Sequence, residues 1–132
     1  MTTVLVAAGA LMLVMATAHT AIGVLWVLPR LPVEHLPRSP FGGGSMTSSF
    51  ITVSWHAVGI MLLTFGVVLL VLGRGVLSAD GAIAVRGVAA AFTALTLMVL
   101  WLARRSARTL VRAPMWVLFV AEALLCWVAA SA

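Results

Sequence analysis

The chain has 132 residues, of which 64% are hydrophobic and 8% charged, with a mean hydropathy of +1.22. Soluble domains carry about a quarter charged residues, so this composition excludes an ordinary soluble fold and predicts an integral membrane protein with room for about four spans of roughly 20 residues. The formal charge of +5 comes from eight Arg against two Glu and one Asp; their position beside apolar runs assigns them to topology and anionic lipid headgroups and argues against nucleic acid.

The first apolar run extends from Val4 to Leu28 and is interrupted by Thr17, His19 and Thr20. Pro29, Pro32, Pro37 and Pro40 follow and are expected to end the helix at Leu28. Ala16-Thr17-Ala18 has the small-x-small form of a signal cleavage site, but no basic residue precedes the run and the run continues well past Ala18, so it reads as a span.

The segment 29–49 reads as the longest loop, and Gly42-Gly43-Gly44-Ser45 within it as a flexible stretch unable to hold a helix. Span two is predicted at 50–72. Its glycines Gly59, Gly66 and Gly73 recur every seven residues and form a close-packing seam, for a neighbouring helix or for docking to a larger complex.

Span three is predicted at 82–103, with Arg86 one turn inside it on a stem long enough to return its charge to the interface. Arg104, Arg105, Arg108 and Arg112 then precede span four, predicted at 113–130 with Pro114 in a tolerated first-turn position. The arginine cluster is expected to contact anionic lipid or to recruit an anionic substrate. The fold class is therefore all-α, an integral membrane four-helix bundle forming one transmembrane domain over residues 1–132.

Loops one and three carry six of the eight arginines, which places 29–49 and 104–112 in the cytoplasm and both termini outside. Arg in place of Lys, with the bias to Ala, Val, Leu and Gly, fits a coding sequence rich in G and C and points to a bacterial plasma membrane. The single cysteine, Cys126, excludes an internal disulfide and zinc motifs built on paired cysteines.

His19, His56 and Glu122 lie in three different spans, where ionisable groups are costly and mark function by default. Counted from the cytoplasmic ends, all three fall at roughly 9 to 14 Å depth. Two imidazoles and a carboxylate at one level are what a bundle uses to hold a transition metal or a haem, with His19 and His56 as ligands and Glu122 as a third ligand or an orienting group. Thr93 and Thr96 fall near the same level and are expected as outer hydrogen-bond partners, and His19 can donate either to a carbonyl one turn back or to Thr93 or Thr96. Met12 and Met15 on the His19 face, and Met115 and Cys126 on the Glu122 face, would suit copper but are also ordinary core fillers.

Three roles remain open for this layer: helix-to-helix hydrogen bonding, a metal or haem redox site, and a proton-coupled transporter or channel subunit in which Glu122 is protonated or paired with a histidine. A non-catalytic accessory subunit of a membrane complex, or a homo-oligomer, fits the same pattern. No catalytic residue can be assigned, since no phosphate-binding glycine loop, serine elbow or paired acidic motif is present. His19 with Gly23, and His56 with Gly59, each pair a histidine with a glycine about one turn later, a likeness too short to establish an internal repeat.

Overall fold

The computed structural model describes residues 2–37, 42–75, 78–104 and 115–131. Among these the fold is all-α: four α-helices are present and no strand. They are α1 (Thr2–Ile22), α2 (Gly43–Leu72), α3 (Ala79–Ala103) and α4 (Met115–Ser131). Three helical stretches are long and apolar enough to cross a membrane: Thr2–Arg30 with 29 residues, Gly43–Leu72 with 30 and Ala79–Trp101 with 23.

The path that starts in α1 does not stop before Pro29 as expected. It continues through a π-helical turn, Gly23–Val27, and a 3-10 turn, Leu28–Arg30. Pro29 stands in the first turn of that last segment, where its missing N–H leaves no ladder bond unmade. A further 3-10 turn follows at Val33–His35.

The glycine stretch before span two is also corrected. Helix α2 begins at Gly43, seven residues earlier than the predicted start at Phe50, so Gly43 to Ser45 are helical. Gly43 enters the helix with φ +67, a left-handed conformation that only glycine adopts at little cost. Gly44 lies so close to the Val33 carbonyl oxygen that a Cβ would collide with it. Thr47 then ties the first turn to the incoming loop by donating from Oγ1 to the Pro37 carbonyl (2.7 Å). Glycine weakens a helix mainly through backbone entropy, and here close approach and a tethered loop offset that cost.

The chain divides into two compact units, Met12–Thr64 and Met1–Leu11 with Phe65–Ala132. In the second of these, the start of α1 packs on the end of α2 through small residues. A Cβ added at Gly9 would lie 2.8 Å from Leu70 Cγ and 2.9 Å from the Gly66 carbonyl oxygen, and one at Gly73 would lie 3.0 Å from Val6 Cγ2 and 3.1 Å from Leu5 Cβ. Backbones that approach this closely gain dispersion contacts that lipid cannot supply. The seam at Gly66 and Gly73 is thus filled by α1 and is not free for docking to another protein.

In the same unit α3 packs on α4. Phe92 meets Phe119 edge to face with centroids 5.9 Å apart, Trp127 Nε1 donates to Thr93 Oγ1 (3.2 Å), and Arg86 Nη2 donates to the Ala130 carbonyl at the end of α4 (3.4 Å). That last contact places a cation at a helix C-terminus, where the backbone dipole favours it. Val85, Val88, Ala89, Phe92, Ala123 and Cys126 are buried within this unit.

Replacement of Gly9 by Val is expected to force α1 from α2 and lower stability by about 1 to 3 kcal/mol, the usual range for overpacking. Thermal unfolding of the detergent-solubilised protein, followed by circular dichroism, checks this. An unchanged midpoint would refute the close contact.

Candidate functional site

The residues singled out from the sequence divide between the two units: His19 and His56 fall in Met12–Thr64, Glu122 with Thr93 and Thr96 in the other. Depth follows from helix length. A hydrocarbon core takes about 20 helical residues, so wherever that stretch falls within 43–72 it includes residues 53–62, and within 2–30 it includes 11–21. His19 and His56 therefore sit in hydrocarbon in every spanning register.

His19 is held by a reciprocal clasp with Trp55. It donates from Nε2 to the Trp55 carbonyl oxygen (3.1 Å), while Trp55 Nε1 donates to the His19 carbonyl oxygen (3.0 Å). The two rings stack with centroids 4.5 Å apart and planes 11° from parallel. The clasp fixes the tautomer, with the proton on Nε2 and Nδ1 left as acceptor.

Two glycines make the clasp possible. A Cβ at Gly23 would fall inside the Trp55 indole, and one at Gly59 would stand 2.9 Å from Thr20 Oγ1. Each helix thus inserts a side chain over a glycine of the other: Trp55 over Gly23, and Thr20 over Gly59. The short His-to-Gly spacings in α1 and α2 are the imprint of this crossing. The π-turn starts at Gly23, four residues after the carbonyl that the indole occupies, and the Leu28 N–H bonds back to Gly23 O across five residues. An inserted side-chain donor is a recognised cause of such a loosened turn.

His56 lies on the other side of the α1 and α2 pair. His19 borders a smaller groove with Phe50, Ile51, Ser54 and Val58, whereas His56 lines an open cavity of about 730 Å³ with Thr17, Thr20, Ala21, Val24 and Ile60 among its walls. The His56 ring has no hydrogen-bond partner among the described residues. The two histidines are therefore not brought together to grip one iron from opposite sides.

Glu122 is 0% exposed. Cys126 Sγ donates to its Oε1 at 3.6 Å, one helical turn along α4, while Oε2 has no partner among the described residues. Cys126 is fully buried beside it, and Met12 and Met15 are buried in α1.

Thr93 and Thr96 bond within their own helix. Thr93 Oγ1 donates to Ala89 O and Thr96 Oγ1 to Phe92 O, both at 2.8 Å and both within α3. The carbonyl that serves His19 is that of Trp55, a backbone group that a list of polar side chains does not contain.

Among the described residues, no group of three or more His, Cys, Asp and Glu side chains is gathered as metal ligands. Of the arginine cluster, Arg104 is described: its guanidinium carbon lies 4.5 Å from the Trp101 ring centre, a cation on an aromatic face at the end of α3. Arg105, Arg108 and Arg112 lie outside the described residues, as does the Met115 side chain.

No protein-family model, curated protein or solved structure matches this chain. The clasp and the buried acid are thus the features that speak to what it does.

If the glycine at 23 exists to admit Trp55, Gly23→Ala is expected to cost about 1 to 3 kcal/mol, and much of that loss should vanish when Trp55→Ala is added. A double-mutant cycle on thermal stability measures the coupling. Simple additivity of the two changes would refute the clasp.

Proposed function

We propose that this chain is a small membrane subunit that takes up and releases a proton at Glu122 during coupled transport. The observation that supports it is a carboxyl fully enclosed by the fold, with Oε2 left without a partner among the described residues. An ionised carboxylate midway along a span costs on the order of 3 kcal/mol on insertion scales. The neutral acid removes most of that cost, so the enclosed state accepts the proton and release requires access to water.

The place of Glu122 in α4 supports such access. The helix has 17 residues, a length of about 25 Å, so Glu122 lies within about 14 Å of either end of it. Glu122 is the eighth of these residues. A small displacement of the shortest helix would wet the acid from one side.

In this reading the chain sits in a bacterial plasma membrane with 29–49 and 104–112 in the cytoplasm and both termini outside, on the six-to-two division of arginines between the two faces. Membrane lipids contact the arginines, and a homo-oligomer or larger membrane complex provides the rest of the transport path.

Glu122→Gln keeps the shape and removes the titratable group. It is expected to abolish pH-driven flux in proteoliposomes and to erase an infrared carbonyl band of a protonated carboxylic acid present in the parent protein. Absence of that band in the parent across the physiological pH range would sink the reading.

A lesser proposal keeps the chain as a redox accessory subunit that holds a transition metal or haem, with His19 and His56, which open on different grooves, each as a single ligand. The free ring of His56 and the free Nδ1 of His19 favour it. A visible absorption spectrum with elemental analysis of gently solubilised protein is expected to show a bound metal in that case, and a colourless, metal-free preparation would rule it out.

A further inference from the structure

The open cavity on the His56 side of α1 and α2 has the makings of a binding site distinct from Glu122. It measures about 730 Å³, in the range of small-molecule pockets, and its walls combine apolar side chains with a few polar groups. None of its lining residues is Arg, Lys, Asp or Glu. Its walls run from Ala16 to Leu25 on α1 and the π-turn, and from His56 to Leu63 on α2.

Two polar groups in those walls break the habit of the spans. Thr17, Thr52, Thr64, Thr93 and Thr96 each return their hydroxyl proton to the carbonyl four residues back. Thr20 does not, and neither its hydroxyl proton nor the His56 ring finds a partner among the described residues. Both residues lie in hydrocarbon in every spanning register, where no water is present to satisfy them. An unpaired donor in that medium is an affinity for an oxygen acceptor that is itself soluble in hydrocarbon.

A phospholipid or fatty acid can lay its chain in the cavity, but its charged head stays at the interface and meets no opposite charge here. The occupant that fits both the depth and the uncharged walls is a neutral head bearing carbonyl oxygens on a long apolar tail. We propose that the α1 and α2 cavity binds a lipid-soluble quinone, with His56 donating to a ring carbonyl, Thr20 to the same head, and the tail lying along Ile60 and Leu63.

The test uses the full chain in phospholipid nanodiscs, titrated with a benzoquinone carrying a ten-carbon tail and read by tryptophan quenching against empty nanodiscs. Saturable binding at one quinone per chain is expected, weakened about tenfold in His56→Leu, as for loss of one hydrogen bond at a desolvated head. Ala21→Phe fills the cavity without touching either polar group and is expected to remove saturable binding while circular dichroism stays unchanged. Partition no greater than into empty nanodiscs, or equal affinity in His56→Leu and the parent, would overturn the proposal. Displacement of the quinone by added anionic phospholipid would overturn it too, since the cavity would then be an ordinary lipid contact. Glu122→Gln leaves this binding intact, so failure of proton coupling and failure of quinone binding are read separately.

Discussion

Hydrocarbon offers no hydrogen bonds, and this constraint orders nearly everything in the chain. Each polar side chain in a span must find its partner within the protein or go without. The span threonines meet the demand locally by bonding to the carbonyl one turn back, which costs nothing in helix register. His19 bonds across to Trp55 instead, and Trp55 answers with its indole. One crossing thereby satisfies two donors and sets how closely α1 and α2 approach.

That crossing shows how backbone and side chain share one solution. Glycine at 23 gives the indole room, and the indole in turn takes the carbonyl that an α-helix would have offered to the Gly23 N–H. The ladder then relaxes to the wider π spacing. A bulkier residue at 23 would have preserved the regular helix and excluded the indole. The local irregularity of α1 is thus a consequence of the interhelical bond and not of a weak helix former.

Much of this was legible in the sequence. Hydropathy alone gave four helices, and span lengths came within a few residues for 82–103 against Ala79–Ala103 and 113–130 against Met115–Ser131. The glycine seam of α2 was legible because close packing needs small residues at helical spacing. The helical start at Gly43 was not, because propensity reports the entropy of glycine and is blind to the Val33 carbonyl that demands it. That His19, His56 and Glu122 stand within apolar helices was legible, but the direction of their side chains was not. A helical wheel places a side chain on a face without saying which neighbour that face meets, and the partner of His19 is a carbonyl of the facing helix α2, neither the carbonyl one turn back nor the threonines of α3. Backbone acceptors are present at every position and leave no mark in a residue list.

The polar groups that escape the general rule differ in a way that separates their chemistry. Glu122 has no exposed surface. His56 and Thr20 face an open cavity, so their unmet hydrogen bonds are available to a ligand with no change in the fold. The first group is closed off by the fold, whereas the second pair stands open to the surroundings. Both cost stability in the resting protein, and neither cost is met by structure alone. The two sites fall in different compact units of the chain.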